Sequence, residues 1–570
     1  MCKPTAATGA ASSHTAPKRV AVIGGGVTGL AAAWHLHTQS KQGQGYNEVE
    51  VHVFEAADRL GGHAHTLRLN TENFSCRDLA EGEDTANKAK NNYEVDIDCG
   101  FMVYNPSNYP NMTEWFSALS VEPEPSDMSL SISLDGGNTV EWSSTSLSGL
   151  LANPAQLLDS KFYSFFKDMI HFHSHAGNLL LLPENDPKRQ VTMGEYLRNE
   201  GYGEGLASYY LVPMMAALWS ASVEDVMKFP AVSLVEFMCN HRMLQLFDRP
   251  LWNTPAGRSI QYVHKMATLL AKNAHTSTPI LAMNKKPKGP SFVDSDGENS
   301  FTYELFTTDN TSMGTFDHVV FACHPPVAND ILSKCNIINS SETIDAKLLA
   351  NLRKIQYGDN VVYIHSDPKL MPKRKSAWAS WNCMGKSRYL TTHLRQVSGN
   401  DSAEKNEKAI KREAMEGAAS GFGARLDNQD EEKEVMEDDN GGGVVTDDTQ
   451  KLEGEHGRMR AVYVTYHINR LQNLTTSRDI FVSLNPHQRP DSELVYRRQI
   501  MSHPQFTRET LAGRKAIKEE FQGKNGLWFC GAWMGYGFHE DGCRSGFEVA
   551  TAINGVPLPW AAQEKENDDA

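Results

Sequence analysis

The chain has 570 residues, of which 40% are hydrophobic and 22% charged, values typical of a soluble globular protein with roughly two to four domains. Its formal net charge of −15 is unevenly distributed, since residues 396–457 alone hold 17 acidic and 7 basic side chains. The near-neutral remainder argues against a nucleic-acid-binding protein, and no apolar run reaches the roughly 18 residues of a transmembrane helix.

The first predicted element is a strand, a glycine-rich turn and a helix. The apolar run Val20–Ile23 predicts a buried parallel strand, and Leu30–Leu36 predicts the helix that follows it. Between them, Gly24 permits a tight turn, Gly26 allows the backbone to approach a pyrophosphate, and Gly29 allows the helix to pack on the sheet. This pattern indicates a dinucleotide site at the start of the helix.

The second predicted strand ends at Glu55, whose carboxylate is placed to accept hydrogen bonds from an adenosine ribose. Arg59, Gly61, Gly62 and His63 follow within one short loop. The paired glycines allow a second close approach to phosphate, and Arg59 can balance its charge. Because nicotinamide enzymes do not need this extension, the loop favours FAD, with His63 as a further cofactor contact.

A second cofactor segment is predicted near the C-terminus. Leu527–Cys530 is typical of a strand, and a helix is expected to open near Asp541. Asp541 is placed to accept from the ribityl hydroxyls, and the amides of Gly542–Gly546 are expected to face the flavin pyrimidine. Gly531 and Ser545 complete the predicted FAD contacts in this segment.

These segments resemble the flavin amine oxidase and phytoene-desaturase superfamily. Within it, the chain is similar to a branch of FAD-binding oxidoreductases associated with cyclopropane fatty-acid synthases. The residues that carry this narrower resemblance are Asp96–Met112, Tyr210–Ser220, Arg249–Ser259, Ala377–Asn382, Tyr463–Leu474 and His503–Phe506.

The resemblance implies an α/β fold with a discontinuous, Rossmann-like FAD-binding domain on a parallel sheet and an α+β substrate domain. The expected boundaries are 18–105, 255–335 and 524–556 for the FAD-binding domain, and 106–254, 336–395 and 458–523 for the substrate domain. Composition predicts disorder in the tail 1–17 and in the acidic insertion 396–457. Residues 557–570 form a C-terminal tail.

Three residues are candidates for catalysis. The resemblance implies a lysine near the flavin in amine-oxidising members, on a strand that corresponds here to Asn360–His365, and Asn360 stands where that lysine is expected. His539 is the best acid/base candidate because an unperturbed histidine titrates near neutrality. Tyr536 lies in the same aromatic loop.

No metal site is expected. His539 and Glu540 begin like a zinc-binding HExxH motif, but Cys543 stands where its second histidine belongs. His171 and His175 share a helical face, which favours a solvated surface. Nine cysteines without a CxxC spacing, and no apolar signal segment, predict reduced thiols and a cytoplasmic protein, peripheral to membranes at most.

The sequence therefore predicts an FAD-dependent oxidoreductase that dehydrogenates or isomerises an apolar substrate, such as a fatty-acyl or other unsaturated lipid. An amine oxidase producing hydrogen peroxide is the second hypothesis, and it requires another lysine, such as Lys354. The third is a flavoprotein partner of a lipid methyltransferase with no turnover of its own.

Overall fold

The computed structural model describes residues 17–39, 49–79, 83, 93–219, 223–245, 250–288, 301–337, 344–387, 390 and 462–561. The acidic insertion 396–457 and nearly all of the N-terminal tail lie outside these ranges, so their predicted disorder stays a prediction. Residues 562–570 of the C-terminal tail also lie outside them.

The described chain contains 21 strands. In chain order they are β1 (Lys18–Ile23), β2 (Val49–Phe54), β3 (Thr66–Asn70), β4 (Ser75–Asp78), β5 (Glu94–Asp98), β6 (Pro123–Ser126), β7 (Leu130–Leu134), β8 (Val140–Ser143), β9 (Trp252–Pro255), β10 (Ala274–His275), β11 (Ile280–Pro287), β12 (Phe301–Thr307), β13 (Ser312–Phe316), β14 (His318–Phe321), β15 (Asn336–Ile337), β16 (Tyr357–His365), β17 (Trp381–Gly385), β18 (Val462–His467), β19 (Phe481–Leu484), β20 (Val495–Pro504) and β21 (Leu527–Phe529).

The α-helices of the described chain are α1 (Val27–Gln39), α2 (Pro110–Ala118), α3 (Leu147–Leu150), α4 (Ser160–His175), α5 (Met193–Asn199), α6 (Glu204–Leu206), α7 (Val212–Trp219), α8 (Val223–Lys228), α9 (Ala231–Asn240), α10 (Ile260–Leu270), α11 (Pro325–Ser333), α12 (Ala346–Arg353), α13 (Ile468–Leu471), α14 (Arg508–Ala516) and α15 (His539–Asn554). A π-helical turn, Ala207–Leu211, joins α6 to α7, so the chain is helical from Glu204 to Trp219. No helix among the described residues is both long enough and apolar enough to cross a bilayer.

The chain divides into two compact units. The first contains Met1–Gly62, Lys265–Ile355 and Ala512–Ala570, and the second contains His63–His264 and Gln356–Leu511. Each unit is therefore assembled from segments that are distant in sequence.

The first unit has a five-stranded sheet with the order β10-β2-β1-β14-β21, and every pair of neighbours is parallel. Val20, Ala21 and Val22 in the central strand β1 are fully buried. A parallel sheet covered on both faces requires such an unbroken apolar run, which explains why the sequence signal was clear. The predicted parallel sheet is confirmed, and β14 and β21 bring distant parts of the chain into it.

A second sheet of the first unit has the order β13-β12-β11-β15. Its β11-β12 and β12-β13 pairs are antiparallel hairpins, whereas the short strand β15 runs parallel to β11.

The second unit is built on a seven-stranded sheet with the order β20-β16-β19-β18-β17-β7-β8. All its neighbouring pairs are antiparallel except β17 and β7. The segment Asn360–His365, expected to be a strand, forms most of β16 and is confirmed. Each edge of β16 is paired, with β19 on one side and β20 on the other.

The first segment of the first unit ends at Gly62, whereas the sequence placed the end of the first FAD-binding segment at 105. The strands β3, β4 and β5 pair with one another in a sheet of their own within the second unit. Buried Asp98, at the end of β5, accepts hydrogen bonds from the hydroxyls of Thr66 (2.6 Å) and Ser259 (2.7 Å). These contacts join the segment after Gly62 to the rest of the second unit.

Candidate functional site

The glycine-rich turn of the first unit shows a separate physical requirement at each of its three glycines. Gly24 has φ +111°, and a Cβ there would lie 2.8 Å from the carbonyl oxygen of Ala322. A Cβ on Gly29 would lie 1.9 Å from the carbonyl oxygen of Gly24, so only glycine allows the helix this close to the turn. A Cβ on Gly26 would meet no atom within 4 Å. The turn therefore needs glycine at 24 and 29 for its own backbone, while Gly26 keeps a surface of the turn open.

Glu55 follows β2 directly and closes the turn from the side. Its Oε2 accepts from the backbone N–H of Gly25 (2.7 Å), and its Oε1 accepts from that of Ala57 (2.9 Å). A carboxylate offers about four acceptor positions, so these two bonds leave capacity for ribose hydroxyls. Glu55 thus holds the turn in place while it presents a carboxylate at the end of the strand.

The loop after Glu55 lies against the same turn. Gly61 donates its N–H to the carbonyl oxygen of Gly25 (2.8 Å) and forms a parallel bridge with Gly26. The Arg59 guanidinium donates to the carbonyl oxygen of Gly62 (3.1 Å), so this bond links the beginning and the end of the loop segment 59–62. The two backbone segments that were predicted to approach phosphate are therefore adjacent in the first unit.

The C-terminal segment is held by its own hydrogen bonds. β21 ends at Phe529, one residue before the predicted end, and α15 begins at His539, two residues before Asp541. The Ser545 hydroxyl accepts from the N–H of Gly531 (3.0 Å) and lies 3.1 Å from its carbonyl oxygen. Ser545 thereby ties the end of the strand to the helix.

The helices α1 and α15 are in close contact. A Cβ on Gly542 would lie 2.7 Å from the Thr28 hydroxyl oxygen, and one on Gly546 would lie 2.3 Å from the Thr28 carbonyl oxygen. Only glycines permit this spacing. The two cofactor segments, far apart in sequence, are therefore packed together within the first unit.

Asp541 shapes the aromatic loop. Its Oδ2 accepts from the backbone N–H groups of Tyr536 (2.9 Å) and Phe538 (3.1 Å), and its Oδ1 accepts from the Arg544 guanidinium (2.9 Å). The side chain was predicted to accept from ribityl hydroxyls, and the structure adds a structural role as the acceptor that folds residues 536–541. Tyr536 is half-buried in this loop.

His539 differs from the expectation of a histidine that titrates near neutrality. Although the residue is partly exposed, its Nε2 is buried, and burial lowers the pKa of the ring to about 3. The imidazole is consequently neutral at pH 7. His539 stays a candidate for contact with cofactor or substrate, but as a neutral hydrogen-bonding group rather than as a titrating acid.

The residues present in the first unit fit FAD. The open surface at Gly26 is a cradle that a side chain would fill, the helix α1 begins at Val27 directly behind it, and Glu55 stands directly after β2, where the sequence predicts the ribose contact. The buried indole N–H of Trp533, beside Gly531, has no hydrogen-bond partner among the described atoms. An orphaned donor at the predicted flavin segment is consistent with an absent acceptor.

The thiols in this region are not activated. Cys530 and Cys543 are fully buried, and burial raises the pKa of both thiols above the usual range. A protonated thiol is a poor nucleophile, so neither cysteine is prepared for covalent attachment to a flavin.

The remaining predicted site residues, His63 and Asn360, lie in the second unit. Asn360 on β16 is buried, and its Nδ2 lies 3.1 Å from the carbonyl oxygen of Met501 and 2.9 Å from Nδ1 of His503. Its Oδ1 accepts from the side-chain amide of Asn485 (2.8 Å). The rings of His503 and His63 are stacked with centroids 5.4 Å apart. Asn360 and His63 are therefore linked through His503.

His503 and Asn485 are the members of this group that the sequence did not predict. Asn360 lies opposite Met501 in the antiparallel pairing of β16 with β20, which brings His503 within reach. The HPQF segment that contains His503 was part of the family resemblance, but no pattern in it indicated the pairing.

Among the described residues, no group of three or more His, Cys, Asp or Glu side chains is arranged to hold a metal. His65 is buried and hydrogen-bonded to Asp78 (2.6 Å), which also pairs with Arg497 (2.8 Å). His65 is thus committed to a hydrogen bond with Asp78 within the second unit.

Comparison with known proteins identifies the family. The family model described as flavin containing amine oxidoreductase matches residues 27–392, which is more than half of the chain, and the chain belongs to this family. A search of curated protein sequences gave no significant match.

Solved structures share the fold. Putrescine oxidase bound to putrescine is 12% identical, with a TM-score of 0.53, and the match covers 95% of this chain and 100% of that one. Cyclohexylamine oxidase from Brevibacterium oxydans IH-35A is 15% identical, with a TM-score of 0.53, covering 95% and 99%. At these identities the likeness shows the fold alone.

The family assignment confirms three predictions: the α/β fold with amine-oxidase-like architecture, the flavin cofactor FAD, and oxidoreductase activity. Which residues contact FAD and which act in catalysis stay predictions.

Proposed function

We propose that this oxidoreductase dehydrogenates or isomerises an apolar substrate with a fatty-acyl or other unsaturated lipid chain. The observation that supports this is the environment of Asn360, which stands where the family resemblance implies a lysine in amine-oxidising members. Its amide is buried in β16 and bonded on both sides, to His503 and to Asn485. A neutral amide supplies no cation and no titrating amine at this position.

Asn360 determines which nitrogen of His503 carries the proton. The Asn360 Nδ2 is a donor, because the carbonyl oxygen of Met501 lies 3.1 Å from it and the Asn360 oxygen already accepts from Asn485. Nδ1 of His503, at 2.9 Å, must then accept, so a neutral His503 carries its proton on Nε2. His503 is only half-buried, and this arrangement prepares it to donate or return a proton at Nε2.

Bound FAD supplies the hydride acceptor. In the second unit, the chain's own contribution is then the imidazole of His503, whose Nδ1 accepts from the amide of Asn360. A proton that Nε2 donates to the reacting chain and later takes back suits the movement of a double bond in an acyl chain, whereas a dehydrogenation needs a separate proton acceptor.

The second candidate is an amine oxidase, which is favoured by the fold shared with putrescine oxidase and cyclohexylamine oxidase. It requires a lysine other than at position 360. Lys354, the candidate from sequence, lies in the first unit and donates to the side-chain oxygen of Asn351 (2.8 Å). This hypothesis predicts hydrogen peroxide when mono- or diamines are added in air.

Anaerobic titration of the purified yellow protein distinguishes these functions. Unsaturated fatty acids, their phospholipids, and mono- and diamines are added separately while the oxidised flavin absorption is followed, and the lipids are then analysed for moved or added double bonds. We expect lipids to bleach the flavin or to be isomerised, and amines to do neither. Bleaching by amines alone would refute the proposal. If nothing reacts, a non-turnover role beside a lipid methyltransferase becomes the better hypothesis, and co-purification of the two proteins tests it.

The substitution Asn360→Asp tests the role of His503 separately. A carboxylate beside Nδ1 favours a protonated His503, so the pH profile of lipid turnover should shift upward by about one unit or more. Asn185→Asp, at an exposed site in the same unit, introduces the same charge and should leave the profile unchanged. An unshifted profile in Asn360→Asp would exclude His503 from the reaction.

A further inference from the structure

We propose that Arg514 is a positioning residue of the FAD site, where it holds the loop 531–538 and supplies a positive charge that favours the reduced flavin. Arg514 lies on α14, and no pattern in the sequence indicated a role for it. The proposal rests on the FAD assignment and on the predicted flavin contacts of the C-terminal segment, and it is independent of the lipid substrate.

The first observation is a contact between α14 and this loop. The Arg514 guanidinium donates a hydrogen bond to the backbone carbonyl oxygen of Gly535. The N–H of Gly535 donates in turn to the carbonyl oxygen of Ala532 (3.1 Å). Both backbone polar groups of Gly535 are therefore fixed, one by the loop itself and one by a side chain from another element.

Gly535 also lies directly against Asp541, the predicted ribityl contact. A Cβ at position 535 would lie 2.0 Å from Oδ1 of Asp541, so only glycine fits against this carboxylate. Asp541 accepts from the N–H groups of Tyr536 (2.9 Å) and Phe538 (3.1 Å). The loop is thus held at its amides by Asp541 and at a carbonyl by Arg514, and a change at Arg514 acts on the backbone that Asp541 shapes.

The part of α14 that carries Arg514 is anchored in the first unit. A Cβ on Gly513 would lie 2.7 Å from the carbonyl oxygen of Asn351 in α12, so α14 packs there by its backbone. Ile517, four residues further on, is fully buried. Because these two positions fix the helix, the guanidinium reaches Gly535 from a rigid support.

The second observation is a positive charge without a carboxylate in direct contact. Among the residues that the structure describes, Arg514 forms no ion pair, and its hydrogen bond goes to an uncharged carbonyl. Asp541 acts on it only by charge, since its own side-chain partner is Arg544 (2.9 Å). Burial lowers the pKa of the Arg514 guanidinium, and the charges of Tyr536 and Asp541 oppose this. An arginine nevertheless stays protonated at neutral pH.

Such a charge acts differently on the two oxidation states of the cofactor. Acceptance of a hydride gives the neutral oxidised flavin ring one negative charge, so a fixed cation beside it stabilises the reduced form more than the oxidised form. The predicted contacts Gly531, Asp541 and Ser545 lie on both sides of Gly535 in the chain, and Arg514 is bonded to Gly535. We therefore expect its charge to raise the reduction potential of the bound flavin.

A purely structural role predicts a different result. If Arg514 only shaped the loop, its loss would weaken the binding of oxidised and reduced FAD by the same factor, and the reduction potential would not change. If its charge acts on the cofactor, reduced FAD loses more affinity than oxidised FAD, and the potential falls. The ratio of the two affinities therefore separates the two roles.

The test is a reductive titration of the full-length flavoprotein against a reference dye, which needs no substrate. Arg514→Gln should lower the ratio of reduced to oxidised FAD affinity about tenfold, which is about 30 mV for a two-electron couple. It should also weaken the binding of oxidised FAD about tenfold, because the charged donor to Gly535 is lost. Arg514→Lys keeps the charge and should change the ratio by less than about threefold.

Lys515→Gln is the matched control, because it removes a positive charge from the next position of the same helix. Lys515 is exposed, and its Nζ lies 3.9 Å from Glu519. Neither the affinity nor the ratio should change, since water and salt screen an exposed charge. For a variant that loses flavin during purification, titration of the apoprotein with oxidised and with reduced FAD gives the ratio directly, and its melting temperature checks the fold.

An unchanged ratio in Arg514→Gln overturns the proposal, and so does an equal change in Lys515→Gln. If Arg514→Gln does not fold, Arg514→Lys decides alone: a ratio that falls as far as predicted for Arg514→Gln, although the charge is kept, overturns the proposal, and a retained ratio supports it. These measurements do not depend on the proposed function, because a protein that turns over no lipid still has a reduction potential.

Discussion

The glycine-rich turn of the first unit and the Asn360 group of the second unit are built in opposite ways. In the turn, backbone geometry decides which residues are accepted: Gly24 needs a positive φ, and Gly29 has no space for a Cβ. The Asn360 group depends instead on hydrogen bonds between side chains, and Asn485 and His503 come from different segments of the chain. A site made of backbone leaves a local signature in the sequence, whereas a site made of side chains depends on strand register.

The largest effect is expected from a comparison of Gly29, where the fold has no space for a side chain, with Gly26, where a side chain would meet no protein atom. Gly29→Ala places a methyl group 1.9 Å from a carbonyl oxygen, so we expect a loss of about 3 kcal/mol or more in the free energy of unfolding. Gly26→Ala meets no atom within 4 Å, so the apoprotein should keep its stability while FAD binding is lost. Denaturant unfolding of both apoproteins and flavin content measure this. Equal stability losses would show that the turn is not organised as described.

Acid should destabilise both units through histidines that the folded protein keeps neutral. Burial lowers the pKa of His318 in the first unit and of His365 on β16 to about 4 each. The unfolded chain therefore binds more protons as the pH falls below about 6.5, and stability is lost from there down to about pH 4. Each histidine can account for at most about 3 kcal/mol of this loss.

His365→Gln tests the second unit's share, since glutamine can still bond to Ser483, which lies 2.8 Å from the His365 Nε2. The variant should show a shallower loss of stability between pH 6.5 and 4, measured by denaturant unfolding at fixed pH. An unchanged slope would mean that His365 is protonated in the folded state.

The Asn360 group should depend on the amide rather than on the volume of the side chain. Asn360→Leu leaves the carbonyl oxygen of Met501 and the side-chain amide of Asn485 without this partner, at a cost of about 2 kcal/mol. Asn185→Leu, at an exposed position, should cost less than about 0.5 kcal/mol. Similar losses in the two variants would show that the hydrogen bonds of Asn360 contribute no net stability.

The smallest effect is expected at Glu55. Glu55→Gln retains one oxygen acceptor for the two amides of Gly25 and Ala57, so stability should fall by about 1 kcal/mol and FAD affinity by about tenfold. Glu50→Gln removes a charge from the same strand, where Glu50 pairs with Arg19 (3.0 Å), and should leave the affinity unchanged. If both changes weaken FAD binding equally, the loss of affinity comes from the change in overall charge rather than from a lost contact with the ribose.

Local sequence determined the first unit's cofactor elements. The buried run of β1, the glycine turn, Glu55 and the segment from Gly531 to Gly546 were all predicted with boundaries within a few residues, because steric limits on glycine and burial of a parallel strand act over a few neighbours. Family membership, FAD and oxidoreductase chemistry followed from the same segments.

The tertiary structure alone decided the surroundings of the candidate catalytic groups. Burial of the ring lowers the pKa of His539 to about 3. The register of β16 with β20 places Nδ1 of His503 next to the side-chain amide of Asn360, where it accepts a hydrogen bond. The placement of residues 63–105 in the second unit depended on pairing among β3, β4 and β5. Burial and cross-strand contact join residues distant in the chain, and no local pattern encodes them.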